Sequence, residues 1–306
     1  MDALELVEIK AQEIAVRIWN PRAPRTLIAW HGLARHGGDF EGLARELGPG
    51  WRVIAPDTPG RGLSSWPLFP AHDYLYERYM QVALALLDHY RLTSVAWLGT
   101  SMGGLLGMLL AASELGHRRI ERLVINDVGP EIEQEGLADL ASYFGVPHYF
   151  PTFGALLNEL KAHYTGFGID DEGTWRRLAL DSARRMPDGT WTFHYDPRIA
   201  EQFVHDTPRD MWAEWRAIRC PLMVVRGEFS PLLSEATVKR MGRIHPDMAA
   251  VTAKGCGHAP LLDRAEQVTP IREFLERSGS TSSHSSRPAG WWQRLRHRLA
   301  TNRGPS

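Results

Sequence analysis

The stretch "WLGTSMGGLLGMLLA", residues 97–111, sets a single serine between two apolar runs, with glycines close on either side. The run leading into it, "SVAWLGTS" (94–101), is short and nearly all apolar, as a strand buried on both faces of a parallel sheet would be. The run leading out reads as a helix that begins just past Ser101. Gly99-Thr100-Ser101-Met102-Gly103 thus fits G-x-S-x-G at a strand-to-helix turn. Such a turn strains the backbone of its central residue and presses helix against strand, so the positions two before and two after it must be small. Ser101 is then either a plain helix cap or a nucleophile held up on an elbow, and the rest of the chain decides between them.

Outward from this stretch the same kind of apolar run recurs. "TLIAWHG" (26–32), "RVIAPD" (52–57), "RLVIND" (122–127), "LMVVRG" (222–227) and "MAAVT" (248–252) all suit buried parallel strands. Helical periodicity lies between several of them, at 38–47, 78–91, 103–115 and 264–277. Alternation of this kind predicts a mostly parallel, doubly wound α/β sheet with ligands at the carboxyl ends of its strands. The first thirty residues differ. Leu4, Leu6 and Ile9, then Ile14, Val16 and Ile18, suggest antiparallel strands exposed on one face.

The alternation breaks from about Gly129 to Trp215, where aromatics gather (Tyr143, Phe144, Tyr149, Phe150, Phe153 and Trp175 among them) and helices are predicted. An insertion of this size reads as a helical lid over the strand ends, placed before the penultimate strand. The predicted organisation is a first part of the core (1–128), the lid (129–215), the second part of the core (216–277), a flexible linker (278–290) and a basic amphipathic tail (291–306). The linker, "SGSTSSHSSRPAG", has a flexible composition.

Composition narrows the function. The chain has 306 residues, 43% hydrophobic and 23% charged, as an ordinary globular protein does. A formal net charge of −1 gives no reason to expect nucleic acid as partner. Cys220 and Cys256 are too few for a disulfide framework. The acidic start lacks a signal pattern, and no apolar run approaches the ~18–20 residues of a membrane span. A cytoplasmic protein is expected. The tail complicates this, because Trp291, Trp292, Leu295 and Leu299 fall within about 100° on a helical wheel, flanked by arginines. That composition suits a helix lying in a membrane interface, so weak peripheral contact with the inner membrane surface is a further expectation.

A serine hydroxyl is a poor nucleophile near neutral pH and needs a base beside it. Of thirteen histidines, His258 in "GCGHAPLLD" follows the last predicted strand, where a loop can return to Ser101. Acyl chemistry also needs two N–H donors for an oxyanion. The amide of Met102, just after the serine, is one candidate. The other is the amide of Leu33, in the loop "HGLARHGGDF" (31–40) after the early strand. No metal-ligand spacing and no phosphate loop is present in the sequence, so no cofactor or metal is implied.

His31-Gly32, "APDTPGRGLSSW" (55–66), Gly99 to Gly104, "INDVGP" (125–130) and "GCGHAPLL" (255–262) together resemble the α/β-hydrolase fold. The chain is most similar to its lidded group of small esterases, meta-cleavage-product hydrolases and cofactor-free haloperoxidases. The resemblance covers about residues 10–277 and implies a Ser–acid–His triad containing Ser101 and His258. It departs at the acid. The family's carboxylate usually lies just beyond the strand "LMVVRG", where "GEFSPLLS" (227–234) here holds Ser230 and Pro231. Two substitutes keep the order of the triad. Asp127 ends the preceding sheet strand, and Glu228 lies in the usual loop two residues early. A Ser–His dyad is the third option. Asp57, after the second parallel strand, is expected to brace its loop.

The resulting expectation is a serine hydrolase acting on a small, largely apolar ester or thioester. One alternative is a C–C bond hydrolase of a vinylogous diketone, for which Arg176, Arg177 or Arg184 would hold the substrate carboxylate. Another is a non-catalytic binding protein that keeps the fold.

Overall fold

The computed structural model describes residues 1–132, 142–206 and 210–277. The linker and tail expected over 278–306 lie outside the described residues. Six strands precede the insertion: β1 (Ala3–Ile9), β2 (Gln12–Trp19), β3 (Arg25–Trp30), β4 (Trp51–Pro56), β5 (Val95–Thr100) and β6 (Ile120–Asn126). Three short ones, β7 (Tyr149–Phe150), β8 (Ala183–Arg185) and β9 (Trp191–Phe193), belong to it, and β10 (Leu222–Gly227) and β11 (Ala249–Ala253) follow it. The helices are α1 (Glu41–Leu47), α2 (Pro70–Asp73), α3 (Tyr76–His89), α4 (Met102–Ala112), α5 (Phe153–His163), α6 (Glu172–Ser182), α7 (Glu201–His205), α8 (Trp212–Ala217), α9 (Glu235–Ile244) and α10 (Ala265–Glu276).

The main sheet runs β1-β2-β4-β3-β5-β6-β10-β11. From β4 onward every pairing is parallel, while β1–β2 and β2–β4 are antiparallel. The apolar runs form the strands for the reason their composition implies. Helices cover both faces, so β5 is buried along five of its six residues. Two cores result. Helices α3 and α4 close one face over Ile28, Trp30 and Trp97; α1 and α10 close the other over Leu27, Ala96 and Leu98. Each fully buried Leu or Val contributes about 1.5–3 kcal/mol.

Three expectations need correction. Leu4 and Leu6 point outward, at 44% and 58% exposure, and β1 buries Val7 and Ile9 instead. A period of two puts residues 4 and 6 on the face opposite 7 and 9. Strand β2 is not exposed along one face, because Ile14 and Ala15, which point to opposite faces, are both buried, as are Val16 and Ile18. The insertion, expected to be helical, also contains a sheet, ordered β7-β9-β8 and antiparallel, whose strands of two and three residues are too short to show alternation. Among the described residues no helix is long and apolar enough to cross a membrane.

Candidate active site

Ser101 stands between β5 and α4 with φ 52° and ψ −113°. Positive φ in a residue with a Cβ costs about 1–3 kcal/mol and persists only where the surroundings impose it. Here the Ser101 N–H donates to the Asn126 carbonyl at 2.9 Å, while the Ser101 carbonyl accepts from Gly104 at 2.8 Å and Leu105 at 3.1 Å. The close approach expected of the elbow is present. A Cβ on Gly99 would lie 2.0 Å from the Gly103 carbonyl oxygen, and one on Gly103 would lie 2.1 Å from that of Trp30.

The loop after β11 returns to this point. His258 Nε2 is 3.0 Å from Ser101 Oγ, and His258 Nδ1 is 2.9 Å from Asp127 Oδ2. Asp127 is buried at the end of β6, itself at φ 61°, with its N–H on the Val225 carbonyl and its Oδ1 accepting from Gly227 N–H at 2.8 Å. Asn126 Nδ2 donates to the Pro260 carbonyl at 2.9 Å and so ties the histidine loop to the strand ends. Of the two candidate acids, the carboxylate beside His258 is that of Asp127. Glu228, just past β10, instead accepts from Gly255 N–H at 2.9 Å in the turn that follows β11. Ser230, at the family's usual acid position, uses its Oγ to accept from the amides of Leu232 and Leu233.

The loop after β3 lies against Ser101, where a Cβ on Gly32 would come 3.6 Å from Ser101 Cβ. Its peptide planes are held from behind. His31 Nε2 accepts from Thr58 N–H at 2.9 Å, which leaves the ring proton on Nδ1 to bond the Gly32 carbonyl at 2.6 Å. Arg35 N–H reaches the same carbonyl at 3.2 Å. The Gly32–Leu33 peptide is therefore fixed with its oxygen turned away and its N–H, that of Leu33, opposite. Burial drives the His31 pKa down to about 3, so the ring stays neutral as this bonding requires. Met102 opens α4, where helical N–H groups lack partners and the positive end of the helix dipole lies. Neither the Leu33 nor the Met102 amide has an acceptor among the described residues.

Asp57 braces its loop as expected. It pairs with Arg17 and accepts from Gly37 N–H at 2.7 Å and Leu63 N–H at 2.9 Å. Burial pushes its pKa up, against the opposing pull of Arg17 and the two amides.

The insertion packs onto these loops. The Gly257 N–H donates to the Gly166 carbonyl at 2.7 Å, and a Cβ on Gly166 would meet His258 N at 2.7 Å. Arg35 donates to Ser182 Oγ at 2.6 Å and holds Asp39 through both carboxylate oxygens. Between insertion and loop lies a cavity lined by Ala34, Tyr143, Phe144, Tyr164, Phe193 and Tyr195, with Arg35 and His36 at its side. None of the three arginines considered for a substrate carboxylate lines it. Arg176 lies over Phe153, Arg177 bonds Thr174, and Arg184 lies over Trp66, all exposed. Arg61, inside the quoted "APDTPGRGLSSW", received no role from sequence, yet it is fully buried and bonds the Leu33 carbonyl at 2.8 Å. Nothing in a lone arginine of a glycine-rich loop signals that position.

The model of the alpha/beta hydrolase family matches residues 27–271. A 3-hydroxybutyrate-oligomer hydrolase of Cupriavidus necator is 35% identical over 266 residues, covering 84% of this chain and 90% of that protein. An esterase of Mycobacterium tuberculosis is 25% identical over 247 residues, 78% of each chain. Among solved structures, an alpha/beta hydrolase from Novosphingobium aromaticivorans superposes with a TM-score of 0.82 at 34% identity, over 90% of this chain and 98% of that one.

Proposed function

The chain belongs to the alpha/beta hydrolase family, and from that premise we propose that it is a serine carboxylic ester hydrolase using Ser101, His258 and Asp127. The observation carrying this reading is the unbroken hydrogen-bonded run from Ser101 Oγ through both ring nitrogens of His258 to Asp127 Oδ2. As Ser101 Oγ attacks the ester carbonyl carbon, its proton passes to His258 Nε2. Asp127 keeps the other ring proton on Nδ1 and stabilises the imidazolium that forms. The negative charge gathering on the carbonyl oxygen is met by the amides of Leu33 and Met102. His258 then returns its proton to the departing alcohol, leaving an acyl-Ser101. Water, deprotonated by the same imidazole, attacks that acyl group, and His258 returns the proton to Ser101 Oγ as the acid departs.

A small, largely apolar acyl group is proposed from the aromatic composition of the insertion, which packs onto the His258 loop through Gly166 and would act as a lid; the small cavity beneath it is lined by neither Ser101 nor His258. The Cupriavidus necator relative is named for hydrolysing 3-hydroxybutyrate oligomers, which places short hydroxyacyl oligoesters among the substrates to test first.

The test is a fluorophosphonate probe with p-nitrophenyl esters of graded chain length and short hydroxyacyl oligomers. Ser101→Ala is expected to abolish labelling and to lower turnover by roughly 10³-fold or more. An alanine variant that keeps near-full esterase activity would remove the serine from the mechanism.

A further inference from the structure

Two neighbouring arginines carry a carboxylate partner, the half-buried Arg17 with Asp57 and the buried Arg35 with Asp39. Arg61 does not. Its side chain is 0% exposed, yet among the described residues its hydrogen-bond partners are all neutral. Nε donates to the Leu33 carbonyl at 2.8 Å, and Nη1 to the Pro59 carbonyl at 2.8 Å and Tyr79 Oη at 2.7 Å. Nη2 lies 3.7 Å from Met102 Sδ. The rings of Tyr74 and Tyr79 lie against it, 5.2 and 5.3 Å from the guanidinium carbon. Asp196, which accepts from Tyr74 Oη, has its charge taken by Arg198.

A buried cation without an anion is costly, because neutral dipoles and ring faces only partly replace lost hydration. Location gives this one a use. The two residues its guanidinium reaches on the site side, Leu33 and Met102, are those whose amides would hold the oxyanion. We propose that Arg61 is a positioning residue for this reaction: it locks the Leu33 carbonyl, and its fixed charge is the counter-charge for the oxyanion. The proposal rests on the serine-hydrolase reading above. A neutral substrate carbonyl gains little from a cation behind the loop, whereas the tetrahedral oxyanion gains in full. The effect therefore belongs to kcat and not to KM.

The experiment compares Arg61→Met, which removes the charge at similar length, with Arg61→Lys, which keeps it. Each is checked for folding by thermal melting and run beside wild type and Ser101→Ala. The readouts are kcat and KM on a p-nitrophenyl ester, and the affinity for an alkyl boronic acid that adds to Ser101 as a tetrahedral anion. Arg61→Met is expected to lower kcat by roughly 10–100-fold, somewhat less than loss of a direct oxyanion donor. Boronate affinity should fall alongside it, with KM unchanged, while Arg61→Lys retains most of both. A folded Arg61→Met with wild-type kcat would overturn the proposal. So would an Arg61→Lys that loses as much kcat as the methionine variant. Hydrolysis that persists in Ser101→Ala would instead sink the serine-hydrolase reading itself, so the two failures are distinct.

Discussion

Replacing Asp127 by asparagine changes one atom and leaves the shape of the site intact, so its effect can be followed bond by bond. Oδ1 of Asp127 accepts from Gly227 N–H at 2.8 Å, and the asparagine must keep its carbonyl oxygen there, since an amide nitrogen would set donor against donor. Its NH₂ group is then aimed at His258 Nδ1, 2.9 Å from the atom it replaces. The imidazole answers by presenting a lone pair at Nδ1 and carrying its proton on Nε2. That nitrogen faces Ser101 Oγ at 3.0 Å and can no longer accept the hydroxyl proton. A wrong tautomer of this kind costs about 10⁴-fold in kcat, equivalent to about 5.5 kcal/mol of barrier. The fold should lose only about 1–2 kcal/mol, as a charged acceptor becomes a neutral one. The assay is kcat on a p-nitrophenyl ester with melting temperature measured on the same samples. Glu228→Gln serves as the comparison, because a glutamine oxygen can still accept from Gly255 N–H. A folded Asp127→Asn within tenfold of wild type, or a larger loss in Glu228→Gln, would refute the assignment of the acid to β6.

Gly166→Ala is expected to lower kcat by roughly 10–100-fold. The new Cβ would fall 2.7 Å from His258 N and 2.9 Å from its carbonyl oxygen, so the histidine loop must shift; unchanged kcat would show that the insertion moves independently of His258. Stability should decline in acid partly through His31, whose folded pKa of about 3 lies below its ordinary value of 6.5. The stabilisation is fully present above 6.5 and is lost as pH falls through about 3, because the unfolded chain takes the proton first. Thermal melting from pH 7 to 4 should therefore slope less steeply in His31→Gln, and an identical slope would remove His31 as a contributor. For the tail, we propose interfacial binding driven by its arginines at about 1 kcal/mol each. Full-length protein should sediment with anionic vesicles at low salt and a chain ending at Ser278 should not; equal sedimentation would exclude an anchoring role.

Most of the parallel strands were readable because burial on both faces leaves a composition that little else imitates; β11, at the sheet edge, is the exception, with Ala250 and Thr252 exposed. Strands 222–227 and β10 coincide, and the others differ from the apolar runs by only a residue or two at either end. The elbow was readable because Gly99 and Gly103 answer a local steric demand that sequence records directly. Helix α9 was not among the predicted helices, although Ser234 caps it, accepting from Thr237 N–H. Its single buried residue, Met241, gives it no apolar run to draw notice. What sequence could not supply were relations through space between distant segments. Asp127 and Glu228 are both acids at the end of a sheet strand, and only the path of the histidine loop separates them. The Arg61 contact with Leu33 and the Gly166 contact with the histidine loop are of the same kind. Each joins backbone atoms to a partner far along the chain, and backbone carbonyls leave no mark in residue type.

On the triad proposed above, an acid carried just past β6 changes what kind of molecular history is open to this chain. Ser101, Asp127 and the Leu33 and Met102 amides are all encoded ahead of the insertion, and only His258 must be brought back from beyond it. Insertions could therefore be lengthened, shortened or traded between relatives without displacing the carboxylate, provided the histidine loop still finds its seat. The loop after β10, where Ser230 now merely closes a turn, would be released from catalytic duty and free to diverge. In a collection of such sequences, variation should concentrate in those two segments, while the first 128 residues are inherited as a block.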